Sequence, residues 1–157
     1  MPNGAELEYL LDTAAPRARL EEVKGQLLIV TDDGQRVNPG SPHLYKAGIF
    51  SFRLRGTSYY ETAVKYGDFS PGTKLRLVRE PDNEYDSNAI AIYAPRARNK
   101  AGYVNKLNAK RIAPLLDRGD KLVCISCRGT GPGRAGEVVP RVLVLQDQLL
   151  AQLWKEL

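Results

Sequence analysis

At 157 residues, 43% hydrophobic and 26% charged, the chain is long enough to bury one core and too short for two ordinary domains. No apolar run approaches the roughly 18 residues that a membrane span needs, and the opening Met-Pro-Asn-Gly-Ala-Glu-Leu-Glu lacks the basic-then-apolar order of a secretion signal. A soluble, cytoplasmic protein with no membrane partner is therefore expected. The net charge of +5 is unevenly spread: residues 91–121 hold eight basic side chains against two acidic ones, net +6, while the other 15 basic and 16 acidic residues net −1. A localised patch of this kind either attracts phosphates or merely solvates a face.

The 14 glycines and 10 prolines predict many turns and tilt the class toward β. Residues 1–24 read as helix in two pieces. Leu7, Leu10 and Leu11 have helical spacing in the first, and Thr13 caps a second over Ala14 to Lys24, with Pro16 in its first turn and Gly25 closing it. Gln26 to Val30 then pairs as a hairpin with Gln35 to Val37 across Thr31-Asp32-Asp33-Gly34. His43, the single histidine, has no acid or cysteine at ligand spacing and reads as a loop residue.

Phe50 to Arg55 alternates with period two and breaks at Gly56, a strand ending in a tight approach. Tyr59 and Tyr60 follow, and in an extended segment adjacent aromatics point to opposite faces. Thr73 to Val78 and Ala89 to Tyr93 read as strands, and Ala101 to Val104 as a short returning strand after the basic tip Ala94 to Lys100. Asn105 caps a helix whose apolar stripe is Leu107, Ile112, Leu115 and Leu116, with Pro114 bending or restarting it. Lys121 to Cys127 and Glu137 to Leu145 are further strands, and Leu149, Leu150, Leu153 and Trp154 give a helical tail over Gln146 to Leu157.

Between two of these strands lies the densest chemistry, Glu80-Pro-Asp-Asn-Glu-Tyr-Asp-Ser-Asn-Ala-Ile90. Pro81 and the Asx residues form turns, yet Tyr85 beside Asp86 also suits a flat, hydroxyl-bearing ligand. Glu80, Asp82, Glu84 and Asp86 could bind a divalent cation in a metal-dependent nuclease, but the loop lacks the central glycine and final glutamate of an EF-hand. Gly131-Pro-Gly-Arg-Ala-Gly136 matches G-x-G-x-x-G but precedes a strand, so no helix N-terminus awaits a pyrophosphate. Cys124 and Cys127 are three apart in a strand and face opposite ways, which predicts two buried free thiols rather than half a zinc site.

Gly56-Thr-Ser-Tyr59-Tyr60, the segment Leu75 to Ile92 with its E-P-x-N-x-Y-D-x-N-A-I core, Gly102-Tyr103-Val104 and Ile112 to Gly119 together resemble the HIRAN domain family over roughly residues 49–145. The resemblance implies a modified OB-like β-barrel, mainly β with flanking helices, spanning 46–157 as a stand-alone member. Residues 1–45 carry no family match and form an amino-terminal helix and hairpin extension.

In DNA-binding members the family captures the 3′ end of single-stranded DNA. The resemblance puts Tyr85 on the terminal base, Asp86 on the 3′ hydroxyl and Tyr59 on the next base. It sets Asn83 and Lys106 along the strand's backbone and Gly56 and Tyr103 in the pocket wall. Arg96, Arg98, Lys100, Lys110 and Arg111 form the expected basic patch. Some DNA-binding members carry an arginine where this chain has Ser58, and an aromatic in the late loop where it has Gly131 to Gly136. Tyr103 also stands where at least one member has histidine.

The expected function is non-enzymatic binding of a single-stranded DNA 3′ end, with no cofactor, in repair or replication and beside proteins of those processes. The alternative is a protein-interaction scaffold in which the loop is only rigid, and a third reading is the metal-dependent nuclease.

Overall fold

A computed structural model of the chain describes Leu11, residues 16–134 and residues 138–154. Alternating runs and short continuous apolar runs give eight strands among the described residues: β1 (Ala18–Val23), β2 (Gln26–Thr31), β3 (Phe50–Arg53), β4 (Lys74–Arg79), β5 (Ile90–Tyr93), β6 (Gly102–Tyr103), β7 (Leu122–Arg128) and β8 (Arg141–Gln146). Among the described residues three α-helices accompany them, α1 (Glu61–Tyr66), α2 (Lys106–Asp117) and α3 (Asp147–Leu153), with 3-10 turns at Leu44–Ala47 and Thr57–Tyr59. The fold is mainly β.

Strands β3-β8-β7-β4-β5-β6 form one antiparallel sheet, and β1-β2 form a separate hairpin. The six-stranded sheet curls until its edges meet: just past β3, Arg55 exchanges both backbone hydrogen bonds with Tyr103 of β6, each 2.8 Å. Gly102 is required at this seam, because a Cβ there would lie 2.7 Å from the Arg55 carbonyl oxygen. Edge closure removes unpaired backbone groups and fixes the segments on either side of Arg55 and Tyr103.

Two cores occupy opposite faces of β7 and β8. Phe50, Phe52, Ile90, Ile92, Ile112, Cys124, Val142 and Val144 fill one, under α2. Leu20, Leu27, Ile29, Leu44, Ile125, Cys127, Leu143 and Leu145 fill the other, where the β1-β2 hairpin and α3 pack. Cys124 and Cys127 are thus free, buried thiols on opposite faces. The hairpin of the amino-terminal segment shares this second core with the sheet.

Several expectations change. Ala18–Val23 is a strand, with Ala18 and Leu20 buried and Arg19 and Glu21 exposed in period two. It turns into β2 through Lys24 and Gly25, both at positive φ, rather than ending a helix. The first helical piece lies outside the described residues except Leu11, which is buried. The segment after Tyr59 is not extended, since a 3-10 turn runs directly into α1. Helix α2 is not restarted at Pro114 but runs through it, and Leu107 leaves the buried stripe at 59% exposure. β8 begins at Arg141, later than expected, and Glu137 lies outside the described residues. Helix α3 spans Asp147–Leu153 and buries Leu149, Leu150 and Leu153.

Candidate functional site

The loop between β4 and β5 is closed at its base by the Glu80 amide donating to the Ala89 carbonyl at 2.9 Å. Within it, Asn83 is the brace: its Oδ1 accepts from the amides of Tyr85 at 2.9 Å and Asp86 at 3.1 Å, and its Nδ2 donates to Glu80 Oε1 at 3.1 Å. Asp86, half-buried, accepts from the Asn88 amide through Oδ1 at 2.8 Å. The Tyr85 ring is left 88% exposed on this pinned backbone. Asn83 therefore sets the loop's shape, and its side-chain acceptor is committed to that.

Arg79, at the end of β4, ties the loop to the barrel. Its Nη1 donates to the Ala89 carbonyl at 2.9 Å, while Nε and Nη2 grip both Asp117 oxygens at 2.9 and 3.1 Å. The Asp117 hydrogen bond, against burial, holds Arg79 above its usual pKa, and the charges of Asp117 and Asp86 add to this. Asp86 thus sits in the field of a permanently charged guanidinium.

Behind the loop lies a network with no local signal in the sequence. Lys100 Nζ donates to Glu80 Oε2 at 2.5 Å and to the Tyr103 hydroxyl at 2.6 Å, and that hydroxyl donates to Glu80 Oε1 at 2.8 Å. Burial pushes Glu80 up, but the hydrogen bonds from Lys100, Tyr103 and Asn83 outweigh it and leave its carboxyl below the ordinary range. Burial, with the Glu80 hydrogen bond adding to it and Lys100 opposing, pushes Tyr103 up to about 12. Burial opposes the charge on Lys100, but its bonds to Glu80 and Tyr103 raise its pKa nonetheless.

On the other side of Tyr103, the Tyr60 ring lies 6.2 Å away, tilted at 55°. Gly56, at φ 72°, turns the chain from the barrel seam into the Thr57–Tyr59 turn, which leaves Tyr59 85% exposed. Tyr59, Tyr60, Ser58, Asn99 and Lys100 line an open cleft of about 350 Å³. Gly56, Tyr59, Asn83, Tyr85, Asp86 and Tyr103 therefore belong to one connected structure. Tyr85 and Asp86 do not line the cleft itself but join it through Asn83 and Glu80. A larger cavity of about 610 Å³ lies elsewhere, beside Tyr45, Leu115 and Gln152.

The basic patch divides. Lys106, exposed, opens α2 three residues beyond Tyr103, Lys110 is exposed on the same helix, and Arg96 and Arg98 stand exposed at the β5-β6 tip. Lys100 is bound to Glu80, and the Arg111 guanidinium is stacked 3.8 Å from the Tyr45 ring centre, so neither is a free cation. The four loop acids do not converge: Glu80 faces Lys100, Asp86 bonds the loop, and Asp82 and Glu84 are exposed. No group of three or more His, Cys, Asp or Glu side chains suited to a metal ion occurs among the described residues.

The HIRAN domain model matches residues 47–137, more than half of the chain. A crystal structure of the HIRAN domain of human HLTF is similar at 19% identity and a TM-score of 0.48, over 68% of this chain and 83% of that one. A crystal structure of a protein from Lactobacillus plantarum is similar at 21% identity and a TM-score of 0.45, over 62% and 94%. No curated protein sequence matched. The match over residues 47–137 and the order of the motifs within it establish that the chain belongs to the HIRAN domain family.

Proposed function

We propose that this chain binds single-stranded nucleic acid, and that it captures the 3′ end of single-stranded DNA without cutting it. The observation that carries the proposal is the pair of tyrosines at 85% and 88% exposure, Tyr59 and Tyr85, each held on a short, hydrogen-bonded backbone segment. A ring bared on a rigid loop stacks on a base with little ordering cost. Membership of the HIRAN family supports the same reading.

In this proposal Tyr85 stacks on the terminal base and Tyr59 on the next. Asp86 accepts the hydrogen bond of a free 3′ hydroxyl, and its negative charge disfavours a terminal phosphate. Lys106, Lys110, Arg96 and Arg98 supply phosphate contacts. Such an end reader serves DNA repair or replication in the cytoplasm, alongside proteins of those processes.

The test is fluorescence anisotropy with one short strand ending in a 3′ hydroxyl, a 3′ phosphate or a blocked 3′ end, over a salt series. The hydroxyl end should bind best, affinity should fall with salt, and Tyr85→Ala should weaken binding by about 5- to 150-fold, the equivalent of one lost stack. Equal binding of all three ends refutes end recognition. Absence of any salt-dependent retention refutes nucleic-acid binding and favours the scaffold reading.

A further inference from the structure

A second group of basic side chains stands on the face of the barrel sheet that packs the β1-β2 hairpin. Arg141, at the start of β8, stands in register with Arg53 of β3 on one side and with Arg128 of β7 on the other. Directly opposed residues of an antiparallel pair project to the same face. The β3 pairing puts Arg53 with Arg141, on the side of Ser51 and Leu143.

Arg128 reaches that face only through an irregularity. The β7-β8 register passes from Ser126↔Val142 directly to Arg128↔Arg141, so Cys127 is an extra residue. Strict alternation would turn Arg128 away, and the bulge turns it back beside Arg141.

Three guanidinium-bearing residues therefore stand on three adjacent strands, spanning roughly 10 Å. Like charges directly opposed across strands destabilise a sheet. Among the described residues none of the three forms an ion pair, and Arg141 has a single side-chain hydrogen bond, from Nη1 to Ser51 Oγ at 3.2 Å. Arg141 is held below its usual pKa first by burial and then by the charge of Arg53, with Arg128 contributing too. The three line a cleft of about 410 Å³ together with Gln26, Pro39, Val138 and Val139. Gln26 and Pro39 precede the residues matched by the family model, so the amino-terminal segment contributes part of the cleft's lining.

We propose that this cleft binds a phosphorylated ligand presenting two adjacent phosphate groups, held by Arg53, Arg141 and Arg128. The guanidinium fork matches phosphate oxygens in pairs, and a row of three on this span is longer than a single phosphate bridges. The site is separate from the tyrosine loop and does not depend on it.

Calorimetric titration and thermal melting of the full chain with sodium pyrophosphate, against orthophosphate, provide the test. Pyrophosphate should bind more tightly than orthophosphate and raise the melting temperature. Arg53→Gln and Arg128→Gln, at the exposed ends of the row, should each weaken pyrophosphate binding about tenfold or more while leaving the ligand-free melting temperature unchanged or higher. A parallel arm uses a short single strand and a Tyr59→Ala/Tyr85→Ala background, in which the tyrosine site is disabled. Arginine-dependent binding there without pyrophosphate binding assigns the phosphates to a nucleic-acid backbone and still supports the site. The proposal is overturned if neither probe binds, if the arginine variants bind both as tightly as the unmodified chain, or if they lower the ligand-free melting temperature.

Discussion

Lys100 separates a structural cation from a phosphate-binding one, and Lys100→Met is the perturbation that shows it. Its side chain is 25% exposed and that of Glu80 is 22% exposed, so the pair lies between surface ion pairs, worth about 0.2–1 kcal/mol, and fully buried ones, whose breakage costs about 3–5 kcal/mol. Removing the ammonium leaves Glu80 with Tyr103 and Asn83 as donors, so the expected cost is about 1–3 kcal/mol. In urea, with a slope of about 1–3 kcal/mol/M, this lowers the unfolding midpoint by roughly 1 M. The cycle with Glu80→Gln should show a coupling of about 1 kcal/mol or more. Binding gives the complementary result. Because the charge is already neutralised, Lys100→Met should leave the salt dependence of single-strand affinity unchanged, whereas Lys106→Met should reduce its slope by about 1. An unmoved midpoint, additivity within about 0.5 kcal/mol, or a slope reduced as in Lys106→Met would each refute the assignment.

Three further outcomes follow from the same geometry. Asp86→Asn retains a side-chain oxygen for the Asn88 amide and should keep stability while erasing the preference for a 3′ hydroxyl over a 3′ phosphate. Asp86→Ala should lose that preference and also about 1 kcal/mol of stability, and equal unfolding midpoints for the two variants would contradict the turn's role. Tyr103 titrates in the folded state near 12 rather than 10.0, so the neutral phenol is favoured on folding. That contribution is fully present below pH 10 and is lost as pH rises toward about 12. Phenolate absorbance should show a late-ionising tyrosine that Tyr103→Phe removes. Burial pushes the Cys127 thiol up to about 12 and that of Cys124 higher still, so neither should react with an aromatic disulfide reagent until urea unfolds the chain. Prompt reaction of either thiol in the native protein would contradict that burial.

What the sequence made legible and what it hid divide along a physical line. Period-two alternation and turn chemistry are local, and they located β3, β4, β5, β7 and the loop at Glu80 to Ile90. The Asn105 cap was equally local, its Oδ1 accepting from the Asn108 amide at 3.0 Å. The β1 segment carries conflicting signals: Thr13 and Pro16 favour a helix start, whereas Arg19 and Glu21 alternating with Ala18 and Leu20 fit a strand. Lys24 at φ 52° is an uncommon first residue for a tight hairpin turn, and it concealed the turn that would have decided the matter.

The candidate site is different in kind, because it depends on register. Glu80 lies 20 residues from Lys100 and 23 from Tyr103, and only the β4-β5-β6 pairing brings the three together. The same holds for Arg53, Arg128 and Arg141, whose convergence requires both β8 pairings and the bulge at Cys127. Charge counting along the chain marks Arg96, Arg98 and Lys110, which the fold leaves exposed. It also marks Lys100 and Arg111, which the fold engages with Glu80 and Tyr45, and passes over the arginine row, whose three members are scattered through segments of ordinary composition. In a curled sheet each strand contributes only one or two residues to any patch. A strong patch then arises from cross-strand alignment rather than from a basic run, and its chemistry becomes visible only when the pairing is known.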